Sequence, residues 1–545
     1  MTRKALLLVA FGITAIGIFV ISYTNTQDKE QKPNVLLIVI DDLNDYQGCF
    51  GGHPQAQTPN INQLALSGVR FENAHSNIGL CMPSRNSFLT GIYPHQSRNF
   101  GLDRSTTQTL FRNNKSLMEI FAENGYYVMG SGKILHSNKL NLWDEWGIKV
   151  NNYGPFAYDG RNQVGHPSVP QPFRSIGDID GSYAPLSDVP VFPDSEIKNE
   201  NMGWAYSGKD DIPFNYIDEN NRDLTPDELH AHWAAKRINE MDLEGSSKPF
   251  FMGIGFVRPH TPLYAPKRFF DLFPIEKLQL PVIKGDDNND TFYNANYPVE
   301  LTEDNKWYTN TSKGQMYYKL LAESYDNDEE LALKHFLQAY LACVAFVDEQ
   351  VGLVLNALND SRFKENTIVV LCSDHGWQMG QKQYLFKNSP WSNSTHIPLI
   401  LKAPGMEVGS TIEHPVSLID IYPTLKDICG LIGDNKKNSS GFPLGGGSLK
   451  SFMENSGRND WNGPDGALTV IATDVVDYDY AKQTFSYRTR NYRFIMYPNG
   501  QEELYNINND PNEWENIAHK KESYEIKNEL RKKILEIINQ NHPTD

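Results

Sequence analysis

The feature that most constrains this chain is a repeated grammar, a continuous apolar run of strand length that stops abruptly at charged residues. Asn34 to Ile40 (NVLLIVI) runs into Asp41 and Asp42, and Thr367 to Cys372 (TIVVLC) runs through Ser373 into Asp374 and His375. Tyr126 to Met129 and Pro249 to Phe256 (PFFMGIGF) follow the same pattern. A strand that is apolar at every position has both faces covered, as in a parallel sheet sandwiched between helices. Helical segments lie between these runs. Thr225, Pro226 and Glu228 form an N-cap, N1 and N3 set that opens a helix to about Met241, and apolar residues recur at helical spacing from Asp328 to Leu358. Strands alternating with helices predict an α/β fold with a largely parallel central sheet.

Two regions interrupt this order, Gly147 to Arg222 and Gly285 to Asn327, both rich in Asn, Asp, Gly, Pro and Tyr. Long irregular segments inside a compact domain read as functional loops or lids. A Gly-, Ser- and Lys-rich stretch at 435–447 reads as a linker, followed by short strand-like pieces over Ala467 to Tyr497 and a C-terminal helix from about Glu522 to Asn539. The expected organisation is an export signal with polar spacer at 1–31, a catalytic domain at 33–431, a linker at 432–447 and a small α+β subdomain at 448–545.

Charge and cysteine usage narrow the function. The 545 residues include 50 Lys plus Arg against 67 Asp plus Glu, a formal charge of −17, which argues against nucleic acid or an anionic membrane surface as partner. Arg3 and Lys4 precede an uncharged run from Ala5 to Ile21 and then a polar stretch, the pattern of an export signal. The expected location is periplasmic or secreted, with an uncleaved N-terminal anchor as the lesser reading and no other membrane partner. Five cysteines, Cys49, Cys81, Cys343, Cys372 and Cys429, are too few and too irregularly spaced for a disulfide scaffold.

In open parallel sheets, ligands bind beyond the carboxyl ends of the strands. Asp41, Asp42, Asp374 and His375 follow two such ends, so three carboxylates and an imidazole can converge there. An oxygen-rich cluster suits a hard divalent cation, Ca2+ or Mg2+.

The most specific string is Cys81-Met82-Pro83-Ser84-Arg85, followed by Leu89-Thr90-Gly91. By ordinary residue usage a Cys-x-Pro-Ser-Arg string arises by chance in roughly one chain per thousand of this length. Pro83 in a first turn starts a helix, leaving residue 81 at its N-terminus, where backbone N–H groups favour negative charge. With this string the chain resembles the formylglycine-dependent sulfatase family. Thr58-Pro59-Asn60-Ile61, Gly132-Lys133, Pro259-His260, Ser373-Asp374-His375-Gly376, His396-Ile397-Pro398 and Leu504-Tyr505-Asn506 recur in sulfatases in the same order. Asp374 followed by His375, Lys133 three residues before His136, Lys387 twelve after His375, and the segment Lys248 to Pro262 look most like the iduronate 2-sulfatase branch.

The resemblance implies an alkaline-phosphatase-like fold, with a large, mostly parallel mixed sheet and a small C-terminal α+β domain. It implies that a maturation enzyme converts Cys81 to formylglycine, which accounts for the odd cysteine. It further implies one Ca2+ held by Asp41, Asp42, Asp374, His375 and residue 81. Arg85 and Lys133 would support the nucleophile and the sulfate oxygens, His136 would act as a base, and His260 and Lys387 would face the sulfate and the leaving oxygen.

The chemistry demands such a set, because a sulfate ester is shielded by negative oxygens and cations must neutralise them before a nucleophile approaches. The expected substrate is a sulfated saccharide, from a glycosaminoglycan or an algal polysaccharide such as ulvan. Two other readings remain open at this level: a phosphate mono- or diester hydrolase of the same fold, and a silent saccharide-binding homologue. The single Asp41, Asp42, Asp374, His375 set points away from a two-metal phosphatase, and retention of Cys81, Arg85, Lys133, His136 and His260 points away from a silent binder. His230 and His232 on the helix after Thr225 read as surface or packing residues, and His396 as a supporting residue of the site or a structural one.

Overall fold

The computed structural model describes residues 32–136, 140–193, 201–209, 212–292, 313–457, 461–473 and 479–539. The expected export segment and part of the second insertion lie outside them. Strand β1, Asn34–Ile40, is buried along its whole length. Its alternate residues enter two different cores: Leu36, Ile38 and Ile40 one, Val35, Leu37 and Val39 the other. The two-residue period of a strand thus explains why Val35 to Ile40 are all apolar.

The other strands of this sheet are β2 (Val69–Phe71), β3 (Tyr127–Gly132), β4 (Glu145–Trp146), β5 (Phe250–Phe256), β6 (Thr367–Ser373), β7 (Leu399–Lys402) and β8 (Ser410–Ile412). Among the described residues the sheet has eight strands in the order β8-β2-β7-β6-β1-β5-β3-β4. β1 runs parallel to β5, with Val35 opposite Phe251, and to β6, with Asn34 opposite Thr367, while β7 is antiparallel to β6. The sheet is therefore mixed and mostly parallel. β3 extends three residues beyond the expected Met129, because Gly130, Ser131 and Gly132 pair with Gly253, Ile254 and Gly255 without any apolar signature of their own. A Cβ on Gly132, at φ 79°, would strike the Gly255 carbonyl, and one on Gly255 would strike the Lys133 backbone just beyond β3.

Helix α1 is Cys81–Thr90, every residue of it buried. Helix α2, Pro226–Glu244, begins with the expected capping box between Thr225 and Glu228. Helix α3, Glu329–Asp360, is capped by Asp328, whose side chain accepts from the Leu331 N–H. His230 on α2 is buried and joins Ser131 to Asn152 through its two ring nitrogens, a packing role, while His232 is exposed.

Residues 33–545 cluster as one compact unit. A second sheet, β9 (Gly466–Ile471), β10 (Thr484–Thr489), β11 (Tyr492–Met496) and β12 (Glu502–Asn506), is an antiparallel meander. It packs beside helix α4, Tyr524–Asn539. This sheet grips two segments of the large domain. Val470 of β9 donates its N–H to Asn77 O and accepts from Gly79 N, just before Cys81. The Asn388 side chain exchanges two hydrogen bonds with the backbone of Ala472, just after Lys387. Residues 435–447 are tied to the large domain, with Lys437 N donating to Asn113 O and Gly445 N to Gly91 O.

Arg493 on β11 is fully buried against Glu513, and also donates to Pro390 O and Ser486 Oγ. Glu513 in turn accepts from Ser392. Removing one partner of such a pair strands the other charge, so Glu513→Gln should lower unfolding free energy by about 3–5 kcal/mol, read by denaturant melts. A loss below about 1 kcal/mol would mean that the pair does not anchor the subdomain.

Candidate active site

Four neighbouring parallel strands bring polar groups to one edge of the sheet. β6 leads into Asp374 and His375, β1 into Asp41 and Asp42, β5 into His260, and β3 into Lys133 and His136. Cys81 opens α1 in the same place, buried to 5% exposure. The expected nucleophile, its helix and the expected ligand and proton-transfer residues on these strand ends therefore converge on this edge.

The network is almost completely buried. Arg85, reaching in from α1, donates from Nε to Asp374 Oδ2 at 2.8 Å and from a terminal nitrogen to Asp41 Oδ1 at 3.2 Å, and also bonds the Lys133 carbonyl. Lys133 donates to Asp41 Oδ2. Burial opposes ionisation of Asp41, but Lys133 and Arg85 overcome it and hold the carboxyl well below the usual range. Lys387 lies 2.9 Å from Asp42 Oδ1 and 3.1 Å from Cys81 Sγ. Burial pushes Asp42 up to about 7 against the pull of Lys387 and His375, and raises the Cys81 thiol as well.

Asp42 adopts φ 58°, a left-handed conformation that costs a non-glycine residue about 1–3 kcal/mol. Its neighbours enforce it. The Asp42 N–H donates to Asp374 Oδ1 at 3.3 Å, and the Tyr340 hydroxyl of α3 donates to its carbonyl at 2.7 Å. Ser373 Oγ stitches β6 to β1 through the Leu43 N–H and the Ile40 carbonyl.

Ligand atoms of Asp41, Asp42, Cys81 and His375 lie within 4.8 Å of one another, all buried. His375 Nδ1 is 3.2 Å from Asp42 Oδ1, while its Nε2 is buried with no hydrogen-bond partner among the described residues, 3.8 Å from Asp374 Oδ2. A buried imidazole nitrogen without a partner, set among carboxylates, fits a divalent cation. Asp374 is the most committed of the expected ligands, since its oxygens accept from Arg85 and from the N–H groups of Asp42 and His375.

Above this cluster opens a cavity of roughly 570 Å³ whose lining includes Cys81, His136, His260 and Lys387. His260 Nδ1 donates to the Thr261 carbonyl, which leaves Nε2 facing the site, 3.8 Å from Asp42 Oδ2. Burial and then Lys133 push His136 down to about 4. Tyr153, Asp180 and Lys313 also line this cavity, although no sequence pattern singled them out. Lys133 sits over the Tyr153 ring at 4.5 Å, and that ring meets His260 edge-on at 5.1 Å. All three come from the two irregular insertions, whose composition marked the segments but not the residues. His396 bonds Asp45 and the Glu72 carbonyl, tying loops together outside the cavity. Among the described residues no cysteine forms a disulfide.

A family model described as Sulfatase matches residues 33–431. The chain belongs to the sulfatase family. A second model, described as N-sulphoglucosamine sulphohydrolase, C-terminal, matches residues 374–540 of this sulfatase. A sulfatase of Formosa agariphila is 31% identical over 542 residues, covering 95% of this chain and 89% of its own. Iduronate 2-sulfatase of Mus musculus is 28% identical, covering 73% and 69%. A solved structure of a protein in complex with its substrate D-glucosamine-2-N,6-O-disulfate is 20% identical with TM-score 0.62, covering 94% and 99%. The phosphonate monoester hydrolase of Agrobacterium radiobacter is 19% identical with TM-score 0.63, covering 93% and 96%. At these identities the two structures speak for the fold alone, which is alkaline-phosphatase-like. This sulfatase is a sulfuric ester hydrolase with a candidate metal-binding group at its strand ends.

A cation held by these residues should stabilise the folded state. At a hundredfold excess over Kd such a ligand adds about 2.7 kcal/mol, so calcium or magnesium added to chelator-treated protein should raise Tm, and Asp42→Asn should lose most of that shift. Equal shifts in both proteins would place the binding elsewhere.

Proposed function

We propose that this sulfatase is an exported, Ca2+-dependent enzyme that removes sulfate esters from a saccharide. The saccharide would come from a uronic-acid-containing polysaccharide such as ulvan or a glycosaminoglycan. The observation that carries the reading is Cys81, at a helix N-terminus on the floor of the cavity with Lys387 3.1 Å from its sulfur. The named substrates of two similar proteins, iduronate 2-sulfatase and the glucosamine disulfate complex, support the saccharide class. Export is supported by the sequence of residues 1–31 alone.

Position 81, once converted to formylglycine by a maturation enzyme, would supply a hydrated aldehyde that can attack sulfur through one hydroxyl and release sulfate by elimination through the other. A Ca2+ held by Asp41, Asp42, Asp374, His375 and residue 81 would add positive charge where sulfate oxygens must sit. The remaining work falls to the chain's own side chains. Lys133 and Lys387 offset the sulfate charge, and Asp41 and Asp42 keep both ammoniums fixed. Arg85 holds the Asp41 and Asp374 carboxylates in place rather than reaching the cavity. His260, with Nδ1 committed to the Thr261 carbonyl, offers Nε2 for proton transfer with the leaving sugar oxygen. His136 takes the opposing proton position at the cavity wall. Both imidazoles are biased toward the neutral form by burial and nearby lysines, and a bound sulfate counters that bias.

Desulfation of a panel of defined sulfated oligosaccharides, with peptide mass confirming formylglycine at position 81, tests the reading. Cys81→Ala should lose turnover on the scale of a nucleophile knockout, on the order of 10⁶-fold. Cys81→Ser made in a host that does not convert serine should be equally silent. A fully modified preparation that cleaves no saccharide sulfate would overturn the proposal, and a serine variant with near-normal turnover would overturn the aldehyde chemistry.

A further inference from the structure

The cavity has a second cationic feature away from the sulfur-facing cluster. Lys313 lies in the helix Lys313–Glu323, within the second insertion, and lines the cavity. Its ammonium lies 4.4 Å from the centroid of the Phe386 ring, and the Lys387 ammonium lies 5.9 Å from the same centroid, so the two charges can be no more than about 10.3 Å apart. That spacing is held by backbone contacts. Leu385 N donates to Gly314 O at 3.0 Å, and Gly314 lies so flat on Tyr384 that a Cβ there would strike the ring.

The two lysines differ in what they have left to offer. Lys387 is buried and spent on Asp42 and Cys81. Lys313 is 39% exposed, and among the described residues its hydrogen-bond acceptor is Asp180 Oδ2 at 3.1 Å. An ammonium carries three donors, so two remain for a ligand. Asp180 does not depend on Lys313 for partners. It accepts from the Thr261 hydroxyl and the Tyr317 hydroxyl, both at 2.8 Å. Burial opposes the Asp180 charge, but Lys313 and Lys387 together hold its carboxyl below the usual value. Asp180 is therefore a fixed acceptor that orients a more exposed cation. The aromatic faces of Phe386 and Tyr317 support the Lys313 ammonium from its other sides.

We propose that Lys313, braced by Asp180, is a specificity-determining contact for a second anionic substituent of the saccharide, a carboxylate or a further sulfate. It would sit within one or two sugar rings of the ester being cleaved. The inference rests on the saccharide reading above and adds to it a requirement for two charges. A ligand anionic at both ends places one charge at the cluster beside Lys387 and the other against the exposed Lys313 ammonium. A singly sulfated neutral sugar leaves Lys313 facing solvent and gains nothing from it.

The test compares the mature wild-type enzyme with Lys313→Met and Lys313→Arg. The substrates are p-nitrophenyl sulfate, a monosulfated neutral sugar, a monosulfated uronic acid and a disulfated disaccharide. A charge-assisted contact of this kind corresponds to roughly 10- to 100-fold in kcat/KM. Lys313→Met should lose that factor on the doubly charged substrates, mostly through KM, and at least tenfold less on the singly charged ones. Lys313→Arg should recover most of it. Selectivity for the uronic acid over the disulfated sugar, or the reverse, identifies which anion is read. Equal losses on every substrate, or none on any, would overturn the role of Lys313 while leaving the saccharide reading intact. An enzyme that turns over p-nitrophenyl sulfate but none of the saccharides would overturn both.

Discussion

The Arg85 guanidinium is the contact on which the rest of the site depends. Fully buried, it bonds Asp374 beyond β6, Asp41 beyond β1 and the Lys133 carbonyl beyond β3, from the helix that Cys81 begins. One side chain thus sets three strand ends and the nucleophile's helix at fixed distances. Burying a charge so deeply costs several kcal/mol unless every donor is met, and here the carboxylates that meet it belong to the candidate metal group or border it. Stability and catalytic geometry are consequently the same contacts. The fold can keep its polar edge buried and paired only by holding it in this arrangement.

The small C-terminal sheet extends that logic outward. It grips Asn77 and Gly79 ahead of Cys81 and Asn388 behind Lys387, so two segments that meet at sulfur are clamped from one side. Arg493 and Glu513 lock the clamp to Pro390 and Ser392. The irregular insertions do the reverse. They contribute Tyr153, Asp180 and Lys313 to the cavity wall above the cluster, the part of the site that a bound ligand would meet beyond the reacting groups.

Much of this was legible because burial on both faces of a strand leaves an unmistakable run of apolar residues. β1, β5 and β6 fall within a residue of their expected limits for that reason. The capping set at Thr225 announced α2 through local hydrogen bonds that need no tertiary partner, and apolar residues at helical spacing announced α3. β3 was read three residues short, since Gly130 to Gly132 pair by backbone alone. α4 begins at Tyr524, two residues later than expected, because residues 521–523 form a tighter 3-10 turn.

What the sequence by itself determined is the frame and its reacting groups: a buried parallel sheet, carboxylates at two strand ends, and a cysteine at the start of a helix. Each of these follows from local physics, side-chain period, capping chemistry and the position of Pro83. Only the tertiary structure decided that Tyr340 holds Asp42 in a left-handed conformation, that Asp180 reaches His260 through Thr261, and that Lys313 and Lys387 share one aromatic ring. Those contacts join residues from distant parts of the chain, and no local pattern encodes a hydrogen bond whose partner is set by how the insertions pack.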